Sequence, residues 1–412
     1  MKNAIKLLIP IVLALVFTLT SCGQDAPQIK NLDDDLQSLV EANQLPALAT
    51  IVISDGEIIA EGAAGVRKYG DTTPVTINDQ FHLGSCTKAF TATLIAILVE
   101  QGKLAWDMTM AEYYPELEAQ LLPRYRDVTL LHLLSHHAGL PAGTFENHIP
   151  PGTTWNHWYG LTEPIIQQRY EYTKGFLCRL PDLEVNELPE PSTDFLYSNA
   201  GYVIAGALAE HVTGKSWEEL IDTHLFQPLG MTTAGFGSVG TGDKVDQPWQ
   251  HLDSSLKLYL PEVAKQLYPD LLSSDDKITP VSPDTPIIFS PPVIGPAGFV
   301  HLSLRDWAKF VIMHMEGENG GSELLKPETF RVLHSPPFGE DYALGWAFED
   351  SLLTEEKVYT HDGGSVLNYA FVWMSMEHNF AVLVATNINS RGAGNAVDEV
   401  LLTQFENTFP EK

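Results

Sequence analysis

Two side chains at the start of a long apolar segment have the chemistry of a nucleophile and its base. Ser85 and Lys88 are three residues apart, and an almost entirely apolar run from Phe90 to Val99 follows them. This run predicts a buried helix, and the i, i+3 spacing places the two side chains on one face of it. Burial disfavours the ammonium form of a lysine, so Lys88 could act as a neutral base. The amino terminus of the helix would favour an alkoxide on Ser85.

Two further polar segments have residue types that would complete such a site. Tyr197 and Asn199 stand immediately before a second apolar segment, which begins at Ala200. A tyrosine there can relay the proton of the serine to a leaving group. The amide of Asn199 can bind Lys88 or a substrate carbonyl. The segment from His361 to Gly364 lies ahead of the carboxy-terminal strands, and its two glycines allow a substrate to lie close to the backbone.

The order Ser-x-x-Lys, Tyr-x-Asn and His-x-Gly resembles the serine β-lactamase and penicillin-binding protein superfamily. It is most similar to the class C β-lactamase-like branch, with its D,D-peptidase and family VIII esterase relatives. Four further segments resemble landmarks of that branch: Leu131–Pro141, Phe226–Met231, Pro296–Ser303 and Leu344–Ala347. The resemblance covers residues 35 to 408. It implies an α/β fold, in which an antiparallel sheet from both chain ends is flanked by helices and carries an inserted all-helical lobe.

The resemblance also implies roles for the residues of these motifs. Ser85 would be the acylated nucleophile, Lys88 its base and Tyr197 the proton shuttle. The backbone N–H groups of Ser85 and Gly364 would form the oxyanion hole, and the loss of one such donor typically costs a few kcal/mol. Three residues would bind substrate or join the polar network: Asn199, His361 and Gly363. No cofactor is implied.

His361 occupies a position at which many β-lactamases and penicillin-binding proteins carry a lysine. A fixed cation there helps to hold the carboxylate of a β-lactam, whereas a histidine is only partly charged near neutral pH. We therefore expect an ester or a D-amino-acid peptide as the substrate, ahead of a β-lactam. The alternatives are a true class C-type β-lactamase and a non-catalytic envelope binding protein of the same fold. The chain contains no Gly-x-Ser-x-Gly, the usual signature of α/β-hydrolases.

The elements that must position these motifs come from both ends of the chain. Four runs are predicted to be strands: Thr50–Ser54, Glu57–Glu61, Asn368–Ser375 and Phe380–Asn387. Asp55-Gly56 is a strong hairpin signal between the first two. Helices are predicted at residues 36–43 and 394–408, with mostly helical material between the two ends. The segments 141–192 and 238–296 are poorly periodic and are predicted to be long loops or lids.

The amino terminus resembles a bacterial lipoprotein signal. Two lysines precede an apolar run from Leu7 to Thr20, which is short for a transmembrane helix and suits a signal peptide. The small residues before Cys22 resemble a lipobox, which implies diacylglyceryl attachment to that cysteine. We expect a signal peptide at 1–21, a polar tether at 22–33 and a hydrolase domain at 34–412. The protein would be lipid-anchored in the bacterial cell envelope, on the outer membrane or its periplasmic face. The alternative is an ordinary secretory signal with an incidental cysteine.

The composition narrows the set of partners. The 412 residues include 24 Lys and Arg against 53 Asp and Glu, a formal net charge of -29, and 44% are hydrophobic. These values describe a folded globular protein whose surface repels nucleic acid and gives no help to an anionic substrate. Cys86 and Cys178 make no disulfide framework. His132 and His136 are four residues apart, but the resemblance already explains their segment, so we expect no metal site.

Overall fold

The computed structural model describes residues 29–141, 150, 152–179, 188–260, 265, 268–273, 275–285, 291–339 and 341–410. The predicted signal peptide and the proposed lipidation site at Cys22 lie outside these residues, as does most of the predicted tether. None of the helices in the described ranges combines the length and the apolar character needed to cross a membrane.

A seven-stranded sheet built from both chain ends forms the centre of the described structure. The described strands are β1 (Lys30–Asn31), β2 (Ala47–Ser54), β3 (Glu57–Gly65), β4 (Gln80–His82), β5 (Gly235–Phe236), β6 (Gln250–Asp253), β7 (Ile278–Val281), β8 (Val300–Ser303), β9 (Ala347–Asp350), β10 (Lys357–Gly364), β11 (Tyr369–Ser375) and β12 (Phe380–Thr386). The order in the large sheet is β1-β3-β2-β12-β11-β10-β9. The antiparallel pairing of β2 with β12 joins the two ends of the chain, as the sequence predicts. The edge strand β1 pairs in parallel with β3, so the sheet is mixed and not purely antiparallel.

Helices cover the sheet and form a separate lobe beside it. The described helices are α1 (Asp33–Asn43), α2 (Thr87–Glu100), α3 (Met110–Tyr113), α4 (Leu130–Leu134), α5 (Trp155–Tyr159), α6 (Ile165–Leu177), α7 (Asn199–Thr213), α8 (Trp217–Ile221), α9 (Pro269–Ser273), α10 (Gly295–Gly298), α11 (Leu304–Gly317), α12 (Pro327–Leu333) and α13 (Arg391–Thr408). Two small sheets accompany them, one with the order β4-β8-β5 and one formed by β6 and β7.

The hairpin between β2 and β3 has the predicted two-residue turn. Ser54 pairs with Glu57, which leaves only Asp55 and Gly56 in the loop. Asp55 has φ 52° and Gly56 has φ 78°, so both residues adopt the left-handed conformation that such a turn requires. Aspartate and glycine tolerate that conformation, and this fixes the register of the first two long strands.

Strand β2 lies between two hydrophobic cores because its side chains alternate across the sheet. Ala49, Ile51 and Ile53 belong to the core on the side of α2 and α11. Leu48 and Val52 belong to the core on the side of α1 and α13. Both faces of the sheet are therefore covered, and α2 lies inside the molecule. All of its residues from 87 to 98 are buried, as its apolar sequence predicts.

The folded region begins earlier than the predicted boundary at residue 34. Residues 30–33, predicted as the end of the tether, form β1 and the start of α1 instead. Lys30 pairs with Ala60, and the carboxylate of Asp33 accepts a hydrogen bond from Ala63 N at 2.9 Å. Three aspartates fill the first turn of α1, where the helix dipole favours negative charge. The acidic run therefore starts a helix and does not belong to a solvated tether.

The prediction of a long loop at 141–192 is wrong for α6. Its buried face includes Gln168 and Arg169, so a search for apolar periodicity finds no helix there. The guanidinium of Arg169 is fully buried and donates to Glu210 at 2.5 Å and to Glu218 at 2.5 Å. It also donates to the carbonyl oxygen of Pro292 at 3.0 Å. This charge cluster joins α6 to α7, to α8 and to the segment before α10.

We expect Arg169→Ala to lower the free energy of unfolding by about 3–5 kcal/mol, because it leaves Glu210 buried without its cation. Lys174→Ala is the matched control: it removes a cation from the same helix, where Lys174 faces the partly exposed Glu171 at 3.7 Å. Its effect should stay within about 0.5 kcal/mol. Urea unfolding followed by circular dichroism measures both. Equal shifts of the two midpoints would contradict a stabilising role for the buried cluster.

Candidate active site

The amino terminus of α2 is held against the segment that contains α10. Residues Gly84–Cys86 form a single 3-10 turn that leads directly into α2. The hydroxyl of Thr87 accepts a hydrogen bond from Val300 N at 3.0 Å, and Thr91 donates to the carbonyl oxygen of Pro296 at 2.7 Å. These bonds fix the rotation of α2 about its axis, and with it the direction of the Lys88 side chain. They also show what the Pro296–Ser303 segment does in the structure: it holds the start of α2.

The Lys88 amine contacts three oxygen atoms. Its Nζ lies 3.0 Å from Ser85 Oγ, 2.6 Å from Asn199 Oδ1 and 2.9 Å from the carbonyl oxygen of Ala297. Burial lowers the pKa of Lys88 to about 7, against a smaller opposing effect of Asp362. A neutral amine has two N–H groups and one lone pair, and the oxygens of Asn199 and Ala297 can only accept. The lone pair is therefore left for the hydroxyl of Ser85.

Tyr197 contacts both Lys88 and Ser85. Its ring centroid is 4.8 Å from Lys88 Nζ, and its hydroxyl is hydrogen-bonded with the Ser85 side chain. Burial raises the pKa of Tyr197 above its ordinary value, although the bond with Ser85 opposes the shift. The phenol is therefore protonated at neutral pH. Because the pKa of Lys88 is lowered and that of Tyr197 is raised, Lys88 is the group that can accept a proton and Tyr197 is a group that can pass one on.

His136 holds the Tyr197 segment on both sides, a role that its sequence context does not predict. The carbonyl oxygen of His136 accepts from Leu196 N at 3.0 Å, and its Nδ1 accepts from Ser198 N at 3.0 Å. Its ring centroid lies 4.3 Å from that of Tyr197. Burial lowers the pKa of His136 well below its ordinary value, so the ring stays neutral. The only signal in the sequence is its place in the Leu131–Pro141 landmark. His132 bonds with Thr129 at the start of α4 instead.

His136→Ala is expected to lower kcat by roughly 10- to 100-fold, because small displacements of catalytic groups cost about that much. The KM should change little, since Tyr197 and not His136 lies at the cavity. His136→Asn should recover most of the activity: an amide oxygen can replace Nδ1, and asparagine tolerates the φ of 64° at this position. His157→Ala, at an exposed histidine of α5, serves as the control. Equal kcat values for His136→Ala and His157→Ala would rule out the positioning role.

Two glycines allow strand β10 to pack directly on the turn that carries Ser85. A Cβ on Gly363 would lie 1.8 Å from the carbonyl oxygen of Leu83, and a Cβ on Gly84 would lie 2.9 Å from Gly364 N. Gly84 also has φ 51°, which favours glycine. The close approach places Ser85 and Gly364, whose backbone N–H groups are the predicted oxyanion donors, at the wall of the same cavity. Two such donors could stabilise an oxyanion formed next to Ser85 Oγ.

A second missed residue, Asn368, fixes the turn between β10 and β11. Its Nδ2 donates to the carbonyl oxygen of His82 at 2.7 Å, and its Oδ1 accepts from Ser365 Oγ at 2.6 Å. Asn389 Nδ2 in turn donates to the carbonyl oxygen of Ser365 at 2.6 Å. The end of β10 is thereby tied to β4 and to the residues that precede Ser85. Nothing in the spacing of the sequence marks this contact.

His361 belongs to a buried network and not to the main cavity. Its Nδ1 donates to the carbonyl oxygen of Asp362 at 2.7 Å, and its Nε2 accepts from the Tyr342 hydroxyl at 2.9 Å. Burial lowers the pKa of His361 to about 4, and Lys88 nearby lowers it as well. The expectation of a partly charged histidine is therefore wrong, because the ring is neutral at pH 7. With both ring nitrogens engaged, His361 has no free donor for a substrate carboxylate.

The main cavity has a volume of about 640 Å³ and opens beside the turn at Ser85. Ser85, Tyr197, Asn199 and Gly364 all line it, so the three predicted motifs meet at one place. Tyr259 also lines it, from the six-residue 3-10 helix Ser254–Tyr259. The predicted lid at 238–296 thus contributes to the cavity, although β6 and β7 give it more regular structure than the sequence suggests. Among the described residues, none of 141–192 lines this cavity.

Cys86 is a packing residue next to the site. The side chain is buried, and its Sγ donates to the carbonyl oxygen of His361 at 3.3 Å. Burial raises the pKa of Cys86 well above its ordinary value, so the thiol is a poor nucleophile. Of the sulfur and oxygen atoms at this turn, Ser85 Oγ is the one that faces both the base and the cavity.

Comparison with known proteins identifies the family. A model of the family described as Beta-lactamase matches residues 32–405. The chain is similar to penicillin-binding protein 4 of Amycolatopsis lactamdurans, with 26% identity over 341 residues that cover 80% of this chain and 77% of that protein. It is also similar to unguisins hydrolase ungD of Aspergillus violaceofuscus, with 26% identity over 347 residues that cover 78% of this chain. The chain spans about half the length of that relative, 54%.

A solved structure shares the fold. The D-amino acid amidase from Ochrobactrum anthropi SV3, complexed with L-phenylalanine amide, superposes with a TM-score of 0.67. The superposition covers 91% of this chain and 99% of that one, at 19% sequence identity. The predicted α/β architecture, with a sheet flanked by helices and a helical lobe, is confirmed.

Proposed function

The chain belongs to the beta-lactamase family, and we propose that it is a serine hydrolase that cleaves esters and D-amino-acid amides through an acyl-enzyme on Ser85. The observation that carries the proposal is the contact of 3.0 Å between Lys88 Nζ and Ser85 Oγ, made by an amine whose other two contacts are acceptors. A buried lysine with this geometry has a lone pair for the serine proton. Two similar proteins, unguisins hydrolase ungD and the D-amino acid amidase, support the reaction class by their names.

The proposed reaction has two acyl transfers. In the first, Ser85 Oγ forms a bond to the substrate carbonyl carbon while its proton passes to Lys88 Nζ. The oxyanion accepts hydrogen bonds from the N–H groups of Ser85 and Gly364. As the tetrahedral intermediate collapses, the bond to the leaving alcohol or amine breaks, and Tyr197 delivers the proton from Lys88 to that group.

In the second transfer, water attacks the acyl carbon and gives its proton to the same pair of side chains. The bond to Ser85 Oγ then breaks, and the serine recovers its proton. The products are a carboxylic acid and an unmodified enzyme, so protons and bonds balance without a cofactor. The two steps together consume one water molecule per substrate, as hydrolysis requires.

A β-lactam is a less suitable substrate than an ester or amide in this proposal. The neutral His361 does not line the main cavity, and no lysine or arginine is among the described residues that do. A β-lactam carboxylate would find no fixed cation there. A true β-lactamase therefore remains the second candidate, favoured only by its family membership.

Intact-mass spectrometry tests the proposal on the purified protein. The protein is mixed in parallel with p-nitrophenyl acetate and with a chromogenic cephalosporin, and absorbance is followed alongside the mass. We expect rapid release of p-nitrophenol, an acetyl adduct that maps to Ser85, and slow cephalosporin turnover. Rapid cephalosporin turnover would favour the β-lactamase, and a stable β-lactam adduct would favour a penicillin-binding peptidase. Failure of both compounds to react would favour the non-catalytic binding protein.

We also propose that the hydrolase is held at the cell envelope through a lipid on Cys22. The support is the order of basic, apolar and small residues before that cysteine in the sequence. Metabolic labelling with palmitate in a bacterial host measures the modification. Label should be incorporated into the wild-type protein and lost in Cys22→Ala. Equal labelling of the two would exclude this anchor.

A further inference from the structure

The alternation of strand β10 presents Asp362 to the main cavity. Along this strand His361 and Gly363 are directed into the packed interior, and Asp362 and Gly364 lie on the opposite face. Asp362 is exposed, and it lines the main cavity together with Gly364 and Ser85. A carboxylate therefore stands two residues from the proposed oxyanion donor, on the same face of the same strand.

The Asp362 carboxylate is not paired with a cation in direct contact, although it interacts through space with Lys88. Its side chain makes no hydrogen bond or ion pair with any residue that the structure describes. The described lining of the main cavity contains no lysine and no arginine, and burial lowers the pKa of its histidine, His82, to about 3. Lys88 lies behind the wall, with its N–H groups bound to Asn199 and Ala297. Asp362 is thus the one formal charge among the described residues that line this cavity.

Further acidic side chains lie in a cavity next to Asp362. Asp362 also lines a smaller adjoining cavity of about 340 Å³, whose described lining includes Asp341 and Glu349 and no lysine or arginine. Three tyrosine rings, Tyr197, Tyr259 and Tyr369, line the main cavity itself, and the faces of such rings attract cations. An unpaired carboxylate beside aromatic rings suits an organic cation better than a neutral or anionic group.

From this placement we propose that Asp362 selects substrates with a free ammonium group next to the scissile carbonyl, such as aminoacyl esters and amides, over substrates with a carboxylate there. The inference rests on the proposed function and specifies its substrate class. Residues two apart on a strand are roughly 7 Å apart. A carbonyl oxygen bound at Gly364 N–H thus places an α-ammonium group within reach of the Asp362 carboxylate. A carboxylate at the same place would meet a like charge.

A series of three phenylalanine methyl esters tests the assignment. The free-amine ester, the N-acetyl ester and the N-succinyl ester share one scissile bond and carry a positive, a zero and a negative charge beside it. Hydrolysis of both enantiomers is followed by titration at about pH 6.5, where an α-amino group is mostly protonated. For the wild-type protein we expect kcat/KM to fall from the cationic to the anionic ester by on the order of tenfold or more.

Substitutions of Asp362 test whether its carboxylate is the group that selects the ammonium. The preference for the cationic ester should disappear in Asp362→Asn and reverse in Asp362→Lys. The matched control is Asp55→Asn, which removes the same charge from the hairpin turn at the far end of the sheet. Asparagine also tolerates the φ of 52° at this position. This variant should keep the wild-type order of the three esters.

The outcomes separate this inference from the proposed function. If p-nitrophenyl acetate acylates Ser85 but the three esters show no charge preference, or none is hydrolysed, the role of Asp362 is overturned and the hydrolase stands. If the preference is present but survives in Asp362→Asn, another group selects the ammonium, and the inference also fails. If Ser85 is not acylated by p-nitrophenyl acetate, the proposed function itself fails.

Discussion

Ser85→Ala is expected to lose ester turnover by roughly 10⁴-fold or more, because Ser85 is the one described nucleophile that contacts the base and lines the cavity. The acetyl adduct formed with p-nitrophenyl acetate should disappear from the intact-mass spectrum at the same time. Lys88 Nζ keeps its bonds to Asn199 and Ala297 in this variant. The thiol of Cys86 is buried and has a raised pKa, so it cannot take over the reaction. The protein should fold normally, since Ser85 is only partly buried.

The control for this prediction is a serine that the reaction does not use. Ser38 is exposed on α1, and α1 packs on the face of the sheet opposite to α2. Ser38→Ala should keep both the acetyl adduct and the turnover. Retained turnover in Ser85→Ala, with an unfolding midpoint like that of the wild type, would overturn the acyl-enzyme mechanism. An adduct that persists in Ser85→Ala and maps elsewhere would reassign the nucleophile.

Local sequence patterns were sufficient for the parts of the site that depend on one element. The i, i+3 spacing of Ser85 and Lys88 predicts their contact because both belong to the turn that starts α2. The apolar run after them predicts a buried helix, because a helix without a polar face must be surrounded by protein. The two strand pairs at the chain ends predict that these ends meet in one sheet. The structure places β2 beside β12 as expected.

Contacts between segments that are far apart in the sequence could not be predicted from such local patterns. His136 reaches Ser198 across 62 positions, and Asn368 reaches His82 across 286. Neither pair has a periodicity that would connect its members. Helix α6 was not predicted because of Arg169. A buried arginine looks like a surface residue in the sequence, and only its carboxylate partners on α7 and α8 explain why it is inside.

The assignment at residues 361–364 shows how one structural detail changes a functional conclusion. The sequence predicts that residues 361–364 precede the carboxy-terminal strands. In that position His361, which replaces a lysine, is the residue expected to meet the substrate. The structure includes these residues in β10, where neighbouring side chains point to opposite faces. His361 then belongs to the interior and Asp362 to the cavity. The charge that a substrate meets is therefore a carboxylate and not a partly protonated histidine.

The second large effect is expected for Lys88. Lys88→Met removes the proposed base, and Lys88→Arg keeps a cation that cannot be deprotonated. Both should lower the rate of acylation by p-nitrophenyl acetate by roughly 10²–10⁴-fold, the usual range for a general base. For the wild-type protein, kcat/KM with this neutral ester should rise with pH and reach half its maximum near the Lys88 pKa of about 7. The sign follows because the free amine is the active form and acid converts it to the ammonium ion.

Two measurements separate the loss of the base from a loss of structure. Lys88→Met removes the buried hydrogen bond from Lys88 to Asn199 Oδ1. Such a loss costs about 1–3 kcal/mol, so unfolding must be recorded beside the kinetics. Lys103→Met, at an exposed lysine just after α2, should change neither. Asp362 raises the pKa of Lys88, and Asp362→Asn should therefore move the acidic limb of the pH profile to lower pH. Normal acylation by a folded Lys88→Met would overturn the role of Lys88 and leave Tyr197 as the base.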